Sequence, residues 1–122
     1  MMFRQIRRDQ SGTSALEFAL VAPVYFLFLI GSVSISMMLF SIGSMHYAVQ
    51  EAARCASVQT TVCTDASTTT SFAQGKYYGT VSPTFVYAAD TCGKKVTATA
   101  TYAINVILFH RSIPLSATAC FP

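Results

Sequence analysis

Charge is scarce in this chain. Only 11% of its 122 residues are Asp, Glu, Lys or Arg, where a soluble average is roughly a quarter. Hydrophobic residues make up 52%, and lipid is the natural destination for such a composition. The net charge is +3, and it is uneven. Arg4, Arg7 and Arg8 stand against Asp9 at the N-terminus, so most of the excess lies ahead of the apolar region and no clustered basic face remains for phosphate binding. Nucleic acid is not an expected partner.

Catalytic and metal signatures are missing as well. No nucleophile elbow, Gly-rich phosphate loop or paired-carboxylate arrangement occurs, and the many Ser and Thr have no positioned base. No enzyme activity, catalytic residue or cofactor is expected. The four cysteines, Cys55, Cys63, Cys92 and Cys120, contain no C-x-x-C pair and stand near no histidine array, which argues against tetrahedral zinc. All four follow the apolar run, so they fit two disulfides in an oxidising compartment. A domain this small buries little core and gains about 2 to 4 kcal/mol per bridge. Cys55 with Cys63 and Cys92 with Cys120 is the preferred pairing, and the two other pairings of four cysteines stay open. Asp65 and Asp90 read as single solvated acids in loops.

What is present is one long apolar run. From Phe18 to Met45 no residue is charged or a histidine. As a helix the run extends about 42 Å, more than a bilayer core of about 30 Å. The surplus is expected to emerge as a continuing helix, supported by Ala48, Ala52, Ala53 and Ala56 beside Glu51 and Arg54. His46 and Tyr47, just past the run, suit a membrane interface. Ser32, Ser36 and Gly43 fall near one helical face and allow close helix approach. Pro23 removes a helical hydrogen bond and is a candidate kink.

The helix is expected to end near Val58, because TTVCTDASTTTS supplies side chains that compete with helical bonding and reads as a loop. Beyond Gly75 the pattern alternates with period two. KKVTATATYAINVILF, TFVYAA from Thr84 and PLSATACF from Pro114 read as strands, with HRSIP as the turn between the last two. Val96, Ala98, Ala100, Tyr102 and Ile104 would share one face. The fold class is α+β: a long N-terminal transmembrane helix continuing outside the membrane and packed on a small antiparallel sheet, with no internal repeat. The expected division is 1–12 as leader, 13–58 as helix, and 59–122 as loop and β domain.

The informative segment is RRDQSGTSALEFALVAPVYFLFLIG. Basic residues stop at Gly12, and Glu17 stands at the edge of the apolar run. A carboxylate there costs on the order of 2 to 3 kcal/mol on insertion scales and calls for a partner or a role. A cut after Gly12 would supply one, because Thr13 would become an ammonium one helical turn from Glu17. The plain alternatives are an uncleaved signal anchor with an interfacial glutamate, or a conventional signal peptide. The apolar run far exceeds the roughly 7 to 15 residues of the latter.

These residues resemble the prepilin-type leader G-x-x-x-x-E-[FY], and within it the TadE-like pseudopilins of the Tad, or Flp, pilus system. The resemblance is strongest from Ser11 to Gly31. It extends to TATATYAINVILF and IPLSATACF as paired terminal strands, and is absent between Gln59 and Tyr87. It implies that an inner-membrane prepilin peptidase cuts between Gly12 and Thr13, that Glu17 is the assembly carboxylate, and that Phe18 fills the aromatic position. Thr13 departs from the phenylalanine of broader type IV pilins. Flp major pilins are little more than leader and helix, and TadG-like relatives are far larger, so the length points to a minor pseudopilin.

The implied role is assembly, initiation or capping of an adhesion pilus. The implied partners are other pilins or pseudopilins, a heterodimer among them, the inner-membrane assembly platform and membrane lipid. The implied location is the bacterial inner membrane, with the N-terminus cytoplasmic, the C-terminal domain periplasmic, and a place in the pilus or at its tip open. The rival is a single-pass envelope protein with a small disulfide-stapled binding domain and no pilus role.

Overall fold

A computed structural model describes the backbone of residues 10–106 and 109–122, and the side chains of residues 13–105 and 109–122. The expected leader, apart from its last three residues, lies outside the described residues, and so do Ile107 and Leu108 of the expected second strand. The elements are α1 (Gln10–Val58), α2 (Ala66–Lys76), β1 (Thr84–Asp90), β2 (Gly93–Val106) and β3 (Phe109–Phe121). Two compact units divide within α1, between Ser34 and Ile35.

The first unit is helix. Its side chains from Thr13 to Ser34 have no core to enter, and none is buried. Ser32 and Ser34 turn their hydroxyls back on the carbonyls of Phe28 and Ile30, at 2.6 and 2.9 Å. Each polar side chain is thereby satisfied on its own helix, as an apolar surrounding demands.

The second unit is the rest of α1, the shorter helix α2 and one antiparallel sheet in the order β1-β2-β3. Its core follows from the sequence periods. On α1, Ser41, Met45, Ala48, Val49, Ala52, Ala53 and Ala56 are buried, steps of three and four that define one helical stripe. On the sheet, pairing aligns Phe85 with Ala98 and Ala98 with Ala117, and Tyr87 with Val96 and Val96 with Ala119. These residues alternate with half-buried or exposed neighbours and share the face that joins Met45, Val49 and the alanines in one cluster. The alanines matter because a small side chain lets backbone approach sheet closely. Val96, wholly buried, is worth about 1.5 to 3 kcal/mol in transfer from water.

Two features differ from expectation. The stretch taken as loop contains α2. Asp65 caps it, its carboxylate accepting from the Thr68 amide at 2.8 Å while Thr68 Oγ1 accepts from the Asp65 amide at 3.0 Å. That reciprocal pair satisfies two donors of the first turn, and burial of Thr69 and Ala73 docks the helix. Local Ser and Thr competition loses to cap and packing together. HRSIP is not a turn either. β3 begins at Phe109 and runs through Pro114, which pairs with Thr101. β3 is an edge strand, where a missing amide hydrogen is tolerated.

Phe109, expected at the end of the second strand, instead opens β3 and pairs back on Val106; the other strand and helix expectations hold. α1 ends at Val58, and β1 starts at Thr84. Both disulfides form in the preferred pairing, with Cα separations of 5.8 Å for Cys55–Cys63 and 6.1 Å for Cys92–Cys120. β1 turns into β2 through Thr91 and Cys92, closed by Gly93 at φ +123°, a conformation suited to glycine.

Candidate functional site

The residues singled out by the sequence gather at the N-terminal end of α1. Gly12 and Thr13 belong to its helical backbone, and Thr13, Glu17 and Phe18 are all exposed. Thr13 and Glu17 stand four residues apart, so their side chains rise from neighbouring points on the helix surface, roughly 5 to 6 Å between Cβ atoms. An amine created at Thr13 is therefore within reach of the Glu17 carboxylate. Phe18 is 71% exposed.

From there the helix presents apolar side chains all round. No residue from 13 to 40 is buried, and the most apolar eighteen-residue window of the helix has a mean hydropathy of 2.2. α1 is long and apolar enough to cross a membrane. Pro23 lies inside it, exposed, and the helix continues past it unbroken. Tyr25 and Phe26 meet edge to face at 6.0 Å.

In the second unit the helix is held by polar contacts that the sequence reading did not find. Ser41 is fully buried. Its hydroxyl donates to the Met37 carbonyl at 3.0 Å, accepts from the Thr80 amide at 3.3 Å, and meets Thr80 Oγ1 at 3.1 Å. One turn on, Ser44 accepts from the Tyr78 amide at 2.7 Å. Two serines three apart at the end of an apolar run were the available signal. They pin the segment between α2 and β1 to the helix. His46 and Tyr47 point outward.

The acids read as merely solvated have partners. The Thr68 amide and hydroxyl hold the Asp65 carboxyl below the usual carboxylate range. The Thr91 amide, then the Lys95 ammonium at 3.3 Å, do the same for Asp90. Both serve local structure, one as helix cap and one as hairpin clamp.

Between the end of α1 and α2 runs a groove of about 350 Å³ lined by Glu51, Arg54, Phe72 and Lys76. Lys76 sits over the Phe72 ring at 5.4 Å. Among the described residues no three of His, Cys, Asp and Glu converge as metal ligands would.

Comparison with known proteins adds one match. Residues 12–54 match the family model of the TadE-like proteins. The matched stretch starts at Gly12, covers nearly all of α1 and includes none of the sheet. No curated protein and no solved structure matches the chain.

Proposed function

We propose that this chain, TadE-like over its long helix, is a minor pseudopilin of a Tad-type pilus. The match over residues 12–54 supports a place in that pilus system, and the finer role rests on the chemistry of α1. The chain inserts with its N-terminus in the cytoplasm, and a prepilin peptidase cuts between Gly12 and Thr13. α1 spans the inner membrane, and the disulfide-linked domain folds on the periplasmic side. The new Thr13 ammonium neutralises Glu17, either on its own helix or on a neighbour's. With the carboxylate paired, the apolar helix packs beside other pilin or pseudopilin helices at the assembly platform.

The observation that carries this reading is the surface of α1. None of its apolar side chains from residue 13 to 37 is buried or packs against the core cluster, and a single carboxylate, Glu17, stands among the first of them. A helix of this kind is fitted for lipid and for other helices. The protein is then the substrate of an enzyme and performs no chemistry itself.

The test is intact mass and N-terminal sequencing after expression with and without a prepilin peptidase. A peptidase-dependent N-terminus at Thr13, lost in Gly12→Ala, is the expected result. An intact leader beside an active cognate peptidase would overturn the proposal and leave a plain membrane-anchored binding domain.

A further inference from the structure

The sheet is uneven. β1 reaches only as far as the rung where Thr84 pairs with Thr99. From Ala100–Leu115 to Val106–Phe109 the β2–β3 hairpin continues without a third strand. A two-stranded ribbon is marginal in water, so an overhang of this length invites a surface to lie against.

Its direction is set at both ends. Ser57, in the last turn of α1, donates its hydroxyl to the Pro122 carbonyl just past β3. At the other end, Ser41 and Ser44 accept from the Thr80 and Tyr78 amides in the segment that leads into β1, and β1 joins the sheet at Thr84, on the rung of Thr99 and Ser116. β3 therefore runs with its Phe109 end toward the apolar end of this unit's helix, where Ile35, Met37, Leu39 and Phe40 are exposed. The free end of the hairpin and the apolar helix surface lie on the same side of the unit.

The chemistry of that end is amphipathic. Phe109 is 54% exposed, with the Arg111 guanidinium 5.7 Å from its ring centre. His110 Nδ1 lies 2.9 Å from Asn105 Oδ1. No Asp or Glu occurs from Gly93 to Pro122. An exposed ring with a guanidinium above it suits a phospholipid surface: the ring enters below the phosphates, and the guanidinium bonds to them.

We infer that the Phe109–Arg111 end of the β2–β3 hairpin is a second membrane contact, resting on anionic phospholipid headgroups of the bilayer that α1 spans. The inference rests on the membrane-spanning reading of α1.

The experiment uses the full chain reconstituted in vesicles of phosphatidylcholine alone or with phosphatidylglycerol. An environment-sensitive fluorophore is placed on Ser112→Cys or, higher on the same sheet face, on Thr99→Cys. All four native cysteines are in disulfides, so the added thiol is labelled selectively, and intact mass verifies the bridges. The expected result is strong quenching at position 112 by nitroxide lipids of headgroup depth, weak quenching at 99, and a gain with phosphatidylglycerol. Arg111→Ala should weaken the excess on the order of fivefold, the worth of one cation at an anionic surface, and Arg111→Lys should restore most of it.

Equal weak quenching at 112 and 99 in chains that float with the vesicles overturns the inference alone. Failure to float overturns the membrane-spanning reading and the inference with it. Shielding of position 112 from iodide without quenching by nitroxide lipid identifies a protein neighbour instead, and also overturns it.

Discussion

The ring of Tyr77 lies directly against the backbone of Gly79. A Cβ added at Gly79 would overlap the ring, which also meets the Phe85 ring edge to face, with centroids 6.4 Å apart. The glycine is required by proximity, since its φ is not in the left-handed region. Tyr77 Oη is buried without a hydrogen-bond partner among the described residues. Gly79→Ala should therefore cost about 1 to 3 kcal/mol by overpacking. Tyr77→Phe should be neutral or slightly stabilising, because it removes a hydroxyl that gains nothing on folding. Urea unfolding of the two variants separates these effects, and a large loss in Tyr77→Phe would show that the hydroxyl is bonded.

The contact between α1 and the sheet should tolerate no added bulk. Ala52 is fully buried in the stripe that faces Val96 and Ala98. Ala52→Leu should destabilise the domain by about 1 to 3 kcal/mol, whereas the same change at exposed Ala89 of β1 should leave its unfolding midpoint nearly unchanged. Equal midpoints for Ala52→Leu and the parent would disprove close packing at this position.

The two bridges should differ in worth. Cys92–Cys120 closes a sequence separation of 28 and Cys55–Cys63 one of 8. Loop-closure entropy assigns them about 3.6 and about 2.5 kcal/mol. Replacing Cys92 and Cys120 with serine together should lower the unfolding midpoint further than replacing the other pair, and peptide mapping of the parent should recover these two linkages.

Acid should loosen α2. Its capping carboxylate, Asp65, is held below the ordinary carboxylate range by the Thr68 amide and hydroxyl. A depressed folded value means that the charged cap contributes its full stability above pH about 4, the unfolded value, and loses it as pH falls through the lower folded value. Amide exchange in Ala66–Lys76 should accelerate on acidification through this window. In Asp65→Asn, a residue that caps about equally well, that segment's pH response should shrink.

Where the sequence was legible, one physical signal dominated. An uncharged run from Phe18 to Met45 leaves little choice but an apolar helix, and Val96 to Tyr102 alternate so regularly that a strand facing a core is the simplest outcome. α2 was hidden because ASTTTSFAQGK carries almost no apolar face. Only Thr69 and Ala73 are buried from it, and the Asp65 to Thr68 capping spacing was the one local sign. The HRSIP error has a different cause. Pro114 suggested a break, yet the alternation of Ile113, Leu115, Ala117 and Ala119 already ran through it, and an edge strand accepts proline. For the site, the spacing from Gly12 to Glu17 could be read directly. The Ser41 and Ser44 contacts depend on where the chain returns after α2, which no local pattern states.

The Cys92–Cys120 bridge also bears on what happens when the domain is pulled. A folded domain under tension lengthens as it opens, and the opened chain lets out slack. Here the segment between Cys92 and Cys120 is covalently closed, so on the order of 90 Å of contour cannot be released whatever becomes of the hydrogen bonds within it. Load applied between the helix and the C-terminus passes through sulfur at that point. Nearly all of β2 and β3 is shielded from it, leaving α2 and β1 to yield first.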